Sequence, residues 1–200
     1  MILILLSGTA NAQGTMGFEE YYYTGLPLSS APVSRIYYQD NSSWYGEARY
    51  NYETAQSVSV YAGRTFGKQD SLSWSFTPLA GIVAGKFKGV SLGLNTALDY
   101  RSVSFSSALE YNFSGENKRY SFFFSWSELG YQLTKHFYAG LALQQTGLYH
   151  MTTVWEPGIQ IGISFEKWVF PVYVFNGADN KRYFVLGITR EWEHGQRHSL

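Results

Sequence analysis

From residue 44 onward, large apolar side chains and small or polar ones alternate along the chain at period two. Val90, Leu92, Leu94 and Leu98 fall on one side of a segment whose other side carries Gly89, Ser91, Gly93, Asn95 and Ala97. Val103, Phe105, Leu109, Tyr111 and Phe113 oppose Ser104, Ser106, Ala108, Glu110 and Asn112. Trp155, Pro157, Ile159, Ile161, Ile163 and Phe165 oppose Glu156, Gly158, Gln160, Gly162 and Ser164. Successive side chains of a strand point to opposite faces, so this period predicts strands lying between two unlike environments. The pattern predicts strands over 44–52, 57–66, 71–84, 89–98, 102–113, 119–131, 136–146, 153–165, 168–175 and 182–192. Short stretches of turn chemistry separate them, such as Gly67-Lys68-Gln69-Asp70 and Asp99-Tyr100-Arg101. No segment shows useful helical periodicity.

The two environments are lipid and a lumen. All seven lysines, Lys68, Lys86, Lys88, Lys118, Lys135, Lys167 and Lys181, fall in the predicted turns. A wet sheet face normally carries lysine, whereas a Lys or Arg facing lipid at mid-bilayer costs roughly 2–4 kcal/mol. Aromatic residues make up 18% of the chain and charged ones only 15%, against about 25% charged in ordinary soluble domains. Composition alone also fits a soluble β-sandwich; the small, lysine-free second face favours a barrel. The last predicted strand sets Phe184, Leu186, Ile188 and Trp192 against Tyr183, Val185, Gly187, Thr189 and Glu191. Lipid tolerates no open sheet edge, so this strand must pair with the first. The expected fold is all-β: a closed antiparallel up-and-down transmembrane β-barrel of about ten strands, with eight or twelve as alternatives.

The chain before residue 44 reads differently. Met1 to Leu6 are apolar and Ala10-Asn11-Ala12 has the small-residue spacing of a signal-peptidase site, so residues 1–12 are expected to be a signal-peptide remnant. Residues 13–43 hold Gly25, Pro27, Ser29, Ser30 and Pro32, a density of turn residues that argues loop. That segment is expected to be irregular, either a plug in the lumen or a periplasmic extension. Residues 44–192 form the barrel and 193–200 a polar tail.

With these features the chain resembles a small single-chain outer-membrane β-barrel of a Gram-negative bacterium. The resemblance covers residues 44–192 and rests on pattern, so no residue roles come with it. It implies an outer-membrane location, lipid around the barrel, and recognition of the last strand by the barrel-assembly machinery. With both ends of the barrel chain in the periplasm, Trp44, Trp74, Trp168 and Trp192 anchor one interface and Trp155 the other.

The candidate chemistry lies on the inner face. Glu47, Arg49 and Asn51 project from the first predicted strand, Asn95 from the fourth, Glu110 and Asn112 from the fifth, and Glu156 and Gln160 from the eighth. They make either a polar pathway for a small solute or ion, or a buried ion-pair network that fills a narrow barrel. Glu128 fits neither face, because alternation puts it with Phe122, Phe124 and Trp126. Either a bulge resets the register there, or the faces of that strand are reversed.

Barrel enzymes leave motifs that this chain lacks. Asp40, Asp70, Asp99 and Asp179 have no Asp or His two residues away, as outer-membrane proteases require. His136, His150, His194 and His198 do not begin the His-x-Ser pairing of outer-membrane lipid hydrolases, and they are too scattered for a metal site. No cysteine is present, so disulfides and thiolate sites are excluded. A net charge of zero leaves no basic footprint for nucleic acid. The expected function is a non-enzymatic narrow pore or plugged carrier without a cofactor. The alternatives are a structural barrel that anchors a partner through residues 14–43 and, less favoured, a lipid-modifying enzyme.

Overall fold

The computed structural model describes residues 14–25, 31–178 and 180–194. They form twelve strands: β1 (Gly14–Thr24), β2 (Ala31–Asp40), β3 (Trp44–Tyr50), β4 (Ser57–Arg64, resuming as Phe66–Lys68), β5 (Leu72–Gly85), β6 (Gly89–Tyr100), β7 (Val103–Ser114), β8 (Phe122–Gln132), β9 (Phe137–Leu148), β10 (Val154–Phe165), β11 (Trp168–Phe175) and β12 (Tyr183–His194). Each pairs antiparallel with its neighbours in sequence. The ring closes where β12 pairs with β1, from Gly14 opposite His194 to Thr24 opposite Phe184. The closing strand does pair with the first, as lipid requires.

β4 is interrupted for a local reason. The pairing with β5 keeps one register on both sides of the gap, with Gly63 opposite Leu79 and Phe66 opposite Phe76. Pro78 stands opposite Arg64 in that register, and proline has no N–H to give the ladder. The same cause breaks the β11–β12 pairing at Pro171, between the Val169–Thr189 and Val172–Leu186 pairs.

The main correction concerns residues 13–43. They are neither plug nor extension: from Gly14 on they supply β1 and β2, which raises the strand number from about ten to twelve. Gly25 follows β1 and Pro32 lies in β2; the turn residues between them, Pro27, Ser29 and Ser30, lie outside the described residues. β12 also runs two residues further than expected, so Glu193 and His194 belong to the wall rather than to a tail. The signal-peptide reading of residues 1–12 and the rest of the tail lie outside the described residues.

The outer face is apolar. Ile82, Leu141 and Ile161 are 66%, 59% and 59% exposed. The lysines sit in the turns or at a strand end. One carboxylate, Glu20, falls on this face between Phe18 and Tyr22, opposite Ser34 and Ile188; an acidic side chain costs less there than a basic one. Trp44, Trp74 and Trp155 are exposed, and Trp168 and Trp192 half-buried, with Trp155 alone near the opposite end of the barrel from the other four. The end that carries both described termini has connections of two to four residues; the other end has three to seven. These are named below the terminal end and the loop end.

Candidate functional site

The lumen is divided lengthwise into a filled side and an open side. The filled side is built on Arg49, which β3 aims inward and which is 2% exposed. Its Nε donates to Glu47 Oε1 at 2.9 Å, its Nη1 donates to Glu110 Oε1 from β7, and Glu53 lies 3.5 Å away. β3 and β7 are four strands apart in the ring, so the Arg49–Glu110 pair is a chord across the lumen. The Tyr52 and Tyr61 rings each centre 4.2 Å from the guanidinium, a cation–π sandwich. Arg35 of β2 extends the network, salt-bridged to Glu19 of β1 and 3.6 Å from Glu47. Buried charges persist only when paired and hydrogen-bonded, and these are.

Two of those residues reach the lumen from a loop. The chain leaves β3 after Tyr50, and residues 51–56 fold inward rather than out to solvent. Glu53 accepts hydrogen bonds from Ser59 Oγ at 2.7 Å and from the Tyr61 hydroxyl at 2.9 Å. Tyr52 packs edge-on against Phe124. Asn51, expected to point inward from a strand, instead takes a left-handed backbone, φ 57°, and fastens the loop. Its side chain donates to the Pro32 carbonyl and accepts from the Gln56 N–H. The strand expected over 44–52 runs two residues past the end of β3 at Tyr50, so alternation misplaces Asn51 and Tyr52.

The opposite wall is aromatic. Tyr21, Trp126 and Tyr173 group with ring centroids 5.1 to 6.4 Å apart, and Phe175 and Tyr183 continue the row toward the loop end. Trp126 is here because the faces of β8 are the reverse of a simple apolar-outside reading. Phe122, Phe124, Trp126 and Glu128 point inward, while Leu129 and Tyr131 are exposed. This settles the position of Glu128 without a bulge, since β8 keeps continuous pairing with both neighbours. Its Oε1 accepts from the Trp126 indole N–H and, across three strands, from the Tyr173 hydroxyl at 2.9 Å.

Between the walls runs the open part. A cavity of about 710 Å³ lies toward the loop end, with Glu19, Tyr21, Arg35, Trp126 and Gln144 on its walls. A second of about 370 Å³ lies toward the terminal end, between Asp99, Arg101, Gln132 and Gln160. The two share Ser106, Glu128 and Tyr138. Tyr138 lies over Gly162, where a Cβ would run into its ring.

Of the residues expected on the inner face, the structure therefore unites Glu47, Arg49 and Glu110, with Asn112 fully buried beside them. Asn95 lines the larger cavity and Gln160 the smaller. Glu156 stands apart near the loop end, accepting from Gln144 at 2.8 Å and Asn176 at 3.3 Å. Among the described residues no group of His, Cys, Asp and Glu is arranged to hold a metal. The functional residues missed in the sequence are Glu19, Tyr21 and Arg35, in the segment read as irregular, and the aromatic wall with Tyr138. A usable signal was present: Glu19 and Arg35 lie equally far from Pro27, which a hairpin would place opposite each other, and they are cross-strand partners.

No family model matches the chain, and no curated protein matches it. Solved structures do. A KdgM porin aligns over 88% of this chain and 98% of its own, at 16% identity and a TM-score of 0.57. A NanC porin aligns over 87% and 97%, at 12% identity and a TM-score of 0.57. The fold is that of an outer-membrane porin. The KdgM porin is also known in complex with disordered oligogalacturonate, a structure 14% identical to this chain over 88% of its length. Porin architecture accounts for the sequence division met first: apolar residues outward in a belt, small and polar ones around a lumen, lysines confined to the rims.

Proposed function

We propose that the chain is a non-enzymatic channel of a Gram-negative outer membrane that passes small hydrophilic solutes through its own lumen. The observation that carries this reading is that the loop-end cavity and the terminal-end cavity share three lining residues, Ser106, Glu128 and Tyr138. The longer connections face outward and the termini face the periplasm, following the usual asymmetry of such barrels. The Arg49 network and the inward loop of residues 51–56 narrow the channel on one side and leave the aromatic side free. Anchoring of a partner through residues 14–43 loses its basis, because β1 and β2 are wall strands. A polyanion such as the oligogalacturonate held by the KdgM porin is not the expected solute. In the larger cavity it would meet Glu19, Glu53 and Glu128 against a single basic residue, Arg35.

Osmotic swelling of proteoliposomes tests the proposal. Vesicles carrying the folded chain, verified by a mobility shift between unheated and heated gel samples, are expected to swell with a monosaccharide and progressively less with longer neutral oligosaccharides. Swelling no faster than in protein-free vesicles for every solute would overturn the channel reading.

A further inference from the structure

We propose that the lumen is cation-selective and that Glu128 is the residue that makes it so; this rests on the channel reading above. The inward carboxylates are compensated unequally. Glu19 is paired with Arg35, and Glu47 and Glu110 with Arg49. Glu53 lies 3.5 Å from the same arginine and accepts two hydroxyl hydrogen bonds. Glu156 and Glu128 have only neutral donors, but Glu156 lines neither cavity; the donors to Glu128, the Trp126 indole and the Tyr173 hydroxyl, both bind the same oxygen, Oε1. Among the described residues no Lys, Arg or His nitrogen comes within ion-pair distance of it. Ionised, it presents to the space around it a charge that no contacting cation balances.

That space is where charge matters most. Glu128 lines both cavities, so a solute crossing from one to the other passes it. A carboxylate at a narrow point between low-dielectric walls focuses the field, raises the local concentration of cations and repels anions. The surrounding aromatic rings add to this preference. Trp126, Tyr138 and Tyr173 line the larger cavity beside Glu128, and their π-faces attract cations, organic ammonium groups included. The solute class that fits is a small cation, either a hydrated inorganic ion or an alkylammonium.

The test is ion selectivity of the full chain, refolded and inserted in planar bilayers under a potassium chloride gradient. The reversal potential is expected to show potassium favoured over chloride by several-fold. Glu128→Gln, which keeps shape and hydrogen-bonding capacity, should bring the permeability ratio toward one. Glu128→Asp should retain most of the preference, which a purely structural role for Glu128 does not predict. Glu116→Gln, in an exposed loop, should leave the ratio unchanged. Choline on the loop-end side should reduce the potassium current of the wild type more than that of Glu128→Gln. An open channel that prefers chloride, or one whose ratio Glu128→Gln does not move, would overturn the selectivity proposal while leaving the channel reading intact. Bilayers that never conduct would overturn both.

Discussion

Arg49→Met is expected to destabilise the barrel by about 3–5 kcal/mol, the cost of removing one partner from a buried ionic network. The reason is what remains behind. Glu110, 3% exposed, would keep its charge without a counter-ion, Glu47, 4% exposed, would be left with Arg35 at 3.6 Å alone, and Glu53 would lose its nearest cation. Tyr52 would lose its guanidinium partner, which loosens the inward fold of residues 51–56. The same variant should therefore conduct more than the wild type, because Arg49–Glu110 is the chord that crosses the lumen. Arg49→Met combined with Glu47→Gln and Glu110→Gln should recover part of the stability, since the orphaned charges go with the arginine. Equilibrium unfolding in lipid vesicles, followed by tryptophan fluorescence, measures each cost. A loss below about 1 kcal/mol for the single variant would mean that the network is wet and behaves like a surface pair.

A second large effect tests which face is which. Leu94→Arg should cost roughly 2–4 kcal/mol in bilayers, the penalty of a mid-bilayer arginine on a lipid-facing strand position. Leu94 sits in the middle of β6 on the face of Leu92, which is 57% exposed. Its neighbour Asn95 turns to the other side and lines the larger cavity. Asn95→Arg should cost much less, and its added positive charge should weaken cation permeation. Strand, depth and introduced residue are nearly the same in the two variants, so the difference reports the face. Equal costs, or the reverse order, would mean that inside and outside have been exchanged.

These expectations draw on parts of the molecule that were unequally legible in the sequence. β6, β7 and β10 were plain, because each sets large apolar residues against small or polar ones, and only lipid outside and a lumen inside demand that contrast. β1 was not. Glu19, Tyr21 and Tyr23 face the lumen while Phe18, Glu20 and Tyr22 face out, so both sides carry large and acidic residues and the period-two contrast vanishes. The turn residues that follow then made the hairpin look like an unstructured leader. β8 misled in the opposite sense. Phe122, Phe124 and Trp126 are apolar enough for lipid but are spent on the inner wall, packing against Phe87, Tyr52 and Tyr173. Glu128 was the sign that the rule had failed there, because a carboxylate belongs with the lumen. The residues at 51–56 were misplaced for a different reason: nothing in local alternation tells an outward loop from one that turns back into the barrel. What holds that loop is Glu53 and Tyr52 meeting Arg49 a turn away, together with Tyr52 packing against Phe124 of β8, a contact that only the closed ring creates.

The central claim is that the lumen is a continuous passage, and single-channel recording tests it most directly. Folded monomers inserted in a planar bilayer are expected to give discrete, uniform conductance steps at low voltage, and larger steps after Arg49→Met. Bilayers shown to contain the folded barrel that stay silent at every voltage, for the wild type and for Arg49→Met alike, would contradict it.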